Sequence, residues 1–156
     1  MLEINIPGYR KLRLKHMVLD YNGTIACDGN LIVGVKENLI ALADKLRVHV
    51  LTADTFGNAR RSLEGIKCEL SILAPDAQDI AKLEYVKGLG AEYAVCVGNG
   101  RNDQLMLREA ALGIAVILEE GAAVATLIAA DIACTHIVRA LELLKNPLRL
   151  IATLRT

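Results

Sequence analysis

The chain has 156 residues, 53% of them apolar, and 18 basic side chains balance 18 acidic ones. This length fits one domain spanning residues 1–156, with room for a core of its own. Zero net charge, four tyrosines, one phenylalanine and no tryptophan argue against a nucleic-acid groove, which needs a basic surface with stacking platforms, and against an anionic-membrane binder.

Cys27, Cys68, Cys96 and Cys134 are widely spaced with no Cys-x-x-Cys pair, so reduced thiols are expected rather than a zinc knuckle or redox couple. The first residues, "MLEINIPGYRKLRLKH", lack the apolar core of a signal peptide. No apolar run reaches the ~18 residues of a membrane span. A cytoplasmic setting is the expectation.

"LEINI" and "RKLRLKH" can pair as an antiparallel edge across Pro7-Gly8. "HMVLD" (16–20) reads as a buried strand. "VKENLIALADKL" (35–46) repeats apolar residues at Val35, Leu39, Leu42 and Leu46, a helix face. Next come strand "VHVLT" (48–52), helix 55–66 and strand 68–73. Helix 76–90 should turn Ile80, Leu83 and Val86 inward and stop at Gly88 or Gly90. Strand "YAVCVG" (93–98) precedes a helix over 102–111 that opens on an Asn-Asp cap. "LGIAVI" and "DIACT" are further strands around the helical "AAVATLIAA". "HIVRALELLK" and "PLRLIATLR" are closing helices, the second starting at Pro147. Strands that are continuous apolar runs are covered on both faces. The expected fold is a Rossmann-like α/β three-layer sandwich with a mainly parallel sheet.

Ligands of open parallel sheets sit beyond the carboxyl ends of the strands. Asp20 ends the first buried strand, in "LDYNGTI". Asn-Gly between apolar runs is also a strong hairpin signal, so the stretch alone does not decide between a turn and a phosphate loop. The other strand ends decide it. Thr52 is followed by Ala53 and Asp54, and "YAVCVG" runs into Asn99-Gly100-Arg101-Asn102-Asp103. Lys82 lies near the start of the helix between. A sheet has no structural need for two carboxylates, a hydroxyl, an ammonium and Gly-rich turns at one edge. Asp20 can attack phosphorus as a covalent nucleophile. Gly23 lets backbone N–H groups approach phosphate oxygens. Thr52 can donate to a phosphoryl oxygen, and Lys82 can neutralise it and restrain Asp20. Asp103 can hold Mg²⁺, directly or through water. Phosphoryl transfer needs mostly such positioning and charge neutralisation.

Asp-x-Asn-Gly-Thr, Thr52, Lys82 and "GNGRND", in this order, resemble the four motifs of the haloacid dehalogenase superfamily. Within it, "LDYNGTI", "VLTADT", "GNGRNDQLMLREAALGIAV" and "IAADIACTH" look most like the phosphorylation domain of P-type ATPases. The likeness covers roughly residues 16–140. It implies a Mg²⁺-dependent phosphohydrolase acting through an aspartyl-phosphate on a small phosphorylated substrate or a phosphoprotein. Asp20 would be the nucleophile. Gly23, Thr52, Ala53 and Lys82 would bind phosphate. Asp20, the Asn22 carbonyl, Asn99 and Asp103 would serve the metal. Asp20 and Thr52 are only 32 positions apart, room for a small flap and one helix. A capless member is therefore expected, and no membrane pump.

Two positions depart from the family pattern. Asn22 stands where its phosphatases have an Asp general acid/base, and an amide exchanges no proton. Asn99 stands where the pumps have a metal-binding Asp, and it offers one neutral oxygen. Slow turnover follows; the alternative is an impaired binding or regulatory protein.

Other readings stand beside these. Lys87 competes with Lys82 for the motif position, and the spacing to Asn99 favours Lys82. Asp54 and Asn102 can be site residues or mere helix caps. His16, His49 and His136 show no ligand spacing, and structural roles are expected. The apolar stripe Leu141, Leu144, Leu148 and Ile151 packs on the sheet or supports a homo-oligomer.

Overall fold

A computed structural model describes residues 1–54 and 57–156. The chain starts with a hairpin of β1 (Leu2–Ile6) and β2 (Arg10–Leu14), followed by β3 (His16–Asp20). A second small hairpin joins β4 (Ala26–Cys27) to β5 (Asn30–Leu31). Then come α1 (Val35–Ala43), β6 (Arg47–Thr52), α2 (Ala59–Ser62), β7 (Cys68–Ile72) and α3 (Gln78–Leu89). After β8 (Ala94–Gly98) a single 3-10 turn, Arg101–Asp103, leads into α4 (Gln104–Glu109). The rest is β9 (Leu112–Val116), α5 (Val124–Ala129), β10 (Ile132–Cys134), α6 (Ile137–Lys145) and α7 (Pro147–Leu154).

Six strands form one sheet in the order β10-β9-β8-β3-β6-β7, and every pairing is parallel. From β3 the chain moves outward through β6 and β7, then returns to place β8 on the other side of β3. The strand order therefore reverses between β3 and β8, and a crevice opens there beyond their carboxyl ends. Asp20 and Asn99 flank it.

The sheet is covered on both faces, which is why β3, β8 and β9 are buried along their whole length. Alternate residues divide between two cores. Met17 and Leu19 join the larger one, with α1, α6, α7 and the N-terminal hairpin. Val18 and Cys96 join the smaller one, with Val86 of α3 and Met106 and Leu107 of α4. On α6, Ile137, Ala140, Leu141 and Leu144 are buried, an i, i+3, i+4, i+7 stripe.

Several expectations need correction. The N-terminal strands pair as expected but form their own two-stranded ribbon, not an edge of the large sheet. Their alternation buries Ile4, Ile6, Leu12 and Leu14 in the larger core. The helix expected over 55–66 is the single turn α2; residues 55 and 56 lie outside the described residues. Val86 is inward as expected, but Ile80 is half exposed, because α3 buries Lys82 beside Val86. The C-terminal stripe is not one apolar surface: Leu141 and Leu144 are buried within the chain, while Leu148 is exposed.

Candidate active site

Asp20 ends β3, and "DYNGT" turns the chain over the crevice. Gly23 has φ 80°, and a Cβ there would meet Asn99 Oδ1 at 2.8 Å and Glu120 Oε2 at 2.4 Å. The positive φ favours glycine here, and any side chain would have to displace the Asn99 and Glu120 ends. The hairpin suggested by Asn-Gly exists, but a few residues later. Asp28 and Gly29, both with positive φ, make the turn between β4 and β5. Asn22 Oδ1 accepts from the Gly29 N–H at 3.1 Å, so its amide is tied to this flap.

Lys82 is fully buried despite its charge. Its Nζ donates to Asp20 Oδ1 at 2.7 Å and to Asp103 Oδ1 at 2.6 Å, with Asn102 Oδ1 at 3.5 Å. Lys87, the competing lysine, faces solvent and pairs with Glu84. Burial pushes the Lys82 ammonium down, but the two carboxylates outweigh it and hold it above its ordinary range. Burial, then the neighbouring Asp103, pushes Asp20 up to about 7 against the pull of Lys82 and Thr24.

Asp103 ties the loop after β8 to Lys82. Its Oδ2 accepts from the N–H groups of Asn99 (3.0 Å) and Gly100 (2.9 Å), and its Oδ1 faces Lys82. A Cβ at Gly98 would lie 2.5 Å from the Asp103 Cγ, so glycine is needed for this carboxylate to close over the strand end. Thr126 Oγ1 donates to the Gly100 carbonyl at 2.7 Å and fixes the same loop from α5. Asn102 Nδ2 donates to Gln78 Oε1 at 2.9 Å, linking the loop to α3.

On the other side of Asp20, Thr24 Oγ1 is 3.1 Å from Asp20 Oδ2 and 3.2 Å from Asn99 Oδ1. Asn99 Nδ2 donates to the Gly121 carbonyl, which turns Oδ1 toward Thr24. Thr52 is buried at the end of β6, and its Oγ1 accepts from the Asp54 N–H at 2.9 Å. Its hydroxyl hydrogen has no acceptor among the described residues. Ala53 is half-buried beside it. Asp54 Oδ1 accepts from the Ala59 N–H at 3.2 Å, the capping contact of the next helix.

Asp20, Thr52, Lys82, Asn99, Asn102 and Asp103 thus come together. Thr24, Glu120 and Thr126 join them without having been singled out. Thr24 stood in the quoted motif; the other two carried no local signal. Among the described residues no three His, Cys, Asp or Glu side chains are gathered in an arrangement that could hold a metal ion. The donor set still suits Mg²⁺, since Asp20 Oδ2 and Asn99 Oδ1 are hard oxygens brought together through Thr24.

The fold is shared with solved structures of the haloacid dehalogenase class. A 3-deoxy-D-manno-octulosonate 8-phosphate phosphatase from Moraxella catarrhalis, solved with magnesium and phosphate, is 20% identical with a TM-score of 0.68 and covers 90% of this chain and 92% of its own. A cobalt-bound deoxy-D-mannose-octulosonate 8-phosphate phosphatase from Haemophilus influenzae is 18% identical with a TM-score of 0.67, covering 86% and 88%. The catalytic domain of the CPx-ATPase CopB-B is 23% identical with a TM-score of 0.57, covering 74% of this chain and 46% of its own. The chain therefore has the haloacid dehalogenase fold in a capless form. In sequence it is 43% identical over 83 residues to the uncharacterized protein MJ0073 of Methanocaldococcus jannaschii, covering 51% of this chain and 89% of that protein. It is also 49% identical over 39 residues to MJ0072 of the same organism, covering 25% and 89%. The chain belongs to one family with these two proteins. No family model matches it. No helix is long and apolar enough to cross a membrane among the described residues.

Proposed function

We propose that the chain is a Mg²⁺-dependent phosphohydrolase that works through an aspartyl-phosphate on Asp20. The observation that carries this reading is the buried Lys82 ammonium held between Asp20 and Asp103. A buried ion pair is a weak source of stability, and its place at the switch point of the sheet suits phosphoryl transfer.

Asp20 Oδ1, the oxygen that Lys82 orients, attacks phosphorus, and the bond to the leaving oxygen breaks. Lys82 and the Thr52 hydroxyl face the charge on the transferred phosphoryl group. Asp103 is a positioning residue, since it fixes both Lys82 and the Asn99–Gly100 backbone. Bound Mg²⁺, held by Asp20 Oδ2, the Asn22 carbonyl and Asn99 Oδ1, would neutralise phosphate charge and favour ionised Asp20. The Glu120 carboxylate, lying over Gly23, offsets the charge that Asn99 lacks. Asn22 carries no exchangeable proton, so the leaving group takes its proton from water. Substrates with good leaving groups, such as acyl phosphates or para-nitrophenyl phosphate, suit this site best.

Beryllium fluoride with Mg²⁺ tests the nucleophile, because it mimics an acyl-phosphate on an aspartate. It should raise the melting temperature of the wild type and leave Asp20→Ala unchanged. No effect on the wild type rejects the reading. A phosphoester panel, run beside Asp20→Asn, then defines substrates.

A further inference from the structure

A cavity of about 700 Å³ opens at the other edge of the sheet, where β3, β6 and β7 begin. His16 and Asp20 are the two ends of β3, so the cavity and the active site are separated by about 13 Å along that strand, at ~3.3 Å per residue. Its volume lies in the ordinary range for a small-molecule site.

The cavity is lined by Lys15, Lys45, Arg47 and Lys67. None of the four makes an ion pair among the described residues. A helix C-terminus attracts cations, and that accounts for Lys45, which follows α1. Lys15 Nζ lies 4.1 Å over the Tyr93 ring, while Arg47 and Lys67 stand at strand starts, where no such dipole acts. Two carboxylates, Asp44 and Glu69, also line the rim, so positive charge prevails.

At the inner wall lies His16, only 9% exposed. Its Nδ1 is 3.0 Å from His49 Nε2, and His49 Nδ1 is 2.9 Å from the Tyr85 hydroxyl. His16 Nε2 has no hydrogen-bond partner among the described residues. The Tyr85 hydroxyl and the Glu69 carboxylate, 3.6 Å away, both face His49 Nδ1, so the tautomer sets the direction of the hydrogen bonds along this chain. His16 Nε2 is outside this chain of contacts, on a ring that lines the cavity.

We propose that this cavity binds a small, multiply charged oxyanion, a phosphorylated or polycarboxylate metabolite. Arg47 and Lys67 supply the charge, and the His16 ring stands at the inner wall. Arg47 and Lys67 are exposed and outside the active site, so replacing them leaves fold and phosphoryl chemistry in place.

The test titrates the full chain, in EDTA, with pyrophosphate and separately with tricarballylate. Calorimetry reads affinity, and imidazole ¹H–¹⁵N spectra read His16. At least one probe should bind and shift the His16 ring signals. Arg47→Ser/Lys67→Ser should weaken that binding at least tenfold while keeping the wild-type response to beryllium fluoride with Mg²⁺. Pyrophosphate alone would identify a phosphorylated ligand, and both probes a general oxyanion site. Binding by neither probe, binding without a His16 shift, or equal binding to the double variant would overturn the proposal.

Discussion

Lys82 Nζ lies 2.7 Å from Asp20 Oδ1, with the lysine fully buried and the aspartate at the end of the central strand. A buried cation facing two carboxylates leaves one of them partly uncompensated. Asp103 also accepts from the Asn99 and Gly100 N–H groups, which Asp20 does not, and burial with the neighbouring Asp103 pushes Asp20 up.

The two carboxylates should therefore differ in what their loss costs. Asp103→Asn puts an NH₂ group or a weaker acceptor against Lys82 and two backbone N–H donors, and should cost about 3–5 kcal/mol of stability. Asp20→Asn removes a carboxylate that is buried beside another, and should change stability by no more than about 1 kcal/mol. Urea unfolding in EDTA measures both. Equal losses would show that Asp20 and Asp103 share the lysine evenly.

Metal affinity should follow the number of carboxylates around Asn99. Asn99→Asp adds a charged ligand and should tighten Mg²⁺ binding about tenfold, because site affinity rises with ligand charge. Glu120→Gln should weaken it severalfold. Calorimetry at low ionic strength is the measurement. Affinity unchanged in both variants would remove Asn99 and Glu120 from the metal side of the site.

How much of this was legible depended on what signals each residue. Asp20, Thr52 and Asn99 end or follow short apolar runs, and parallel strands bring such ends to one edge. Lys82 was found by motif order, yet the same residue spoiled the reading of its helix. Apolar periodicity turned Ile80 inward, whereas α3 buries a charge and leaves Ile80 half exposed. Glu120 and Thr126 reach the site from a loop and a short helix with no period or motif of their own. His16 and His49 sit 33 positions apart on neighbouring strands, and only the β3–β6 pairing brings their rings together. The Asn-Gly signal was displaced: the chain makes its tight hairpin at Asp28-Gly29 and uses Gly23 for a close approach.

The paired histidines predict a pH dependence. Burial comes first among the causes that hold both below their ordinary range, with Arg47 and Lys15 adding for His16 and Glu69 opposing for both. The unfolded chain then takes up protons near the ordinary value of 6.5 that the folded chain refuses until lower pH. This contribution to stability is present above 6.5 and lost as the pH falls toward the depressed values. The loss approaches about 1.4 kcal/mol per pH unit for each fully titrating group. His49→Gln should flatten the fall between pH 7.5 and 5.5, in urea unfolding with chloride buffers. Asp20 acts in the opposite direction, but equally in both proteins, so the difference isolates His49 and its influence on His16. Parallel profiles would mean that His49 does not titrate in this window.

The last prediction concerns Asn22, whose side chain the flap holds through the Gly29 N–H. An aspartate can keep that contact with one oxygen and leave the other for proton transfer, so Asn22→Asp should fold. General acid/base catalysis is typically worth ~10²–10⁴ in rate, so turnover on alkyl phosphates should rise by ~10²-fold or more. Acyl phosphates and para-nitrophenyl phosphate leave without much protonation and should gain less. Without that group, the wild type should also hydrolyse its aspartyl-phosphate slowly. Acid-quenched protein should then retain more ³²P label than the variant. Steady-state rates for wild type, Asn22→Asp and Asn22→Asp/Asp20→Asn separate the alternatives. A gain that depends on Asp20 makes the loop catalytic and Asn22 its missing proton donor. A gain that survives the loss of Asp20 belongs to another site. A folded Asn22→Asp with no gain would leave "DYNGT" as a turn that positions the flap and Gly23, without a part in proton transfer.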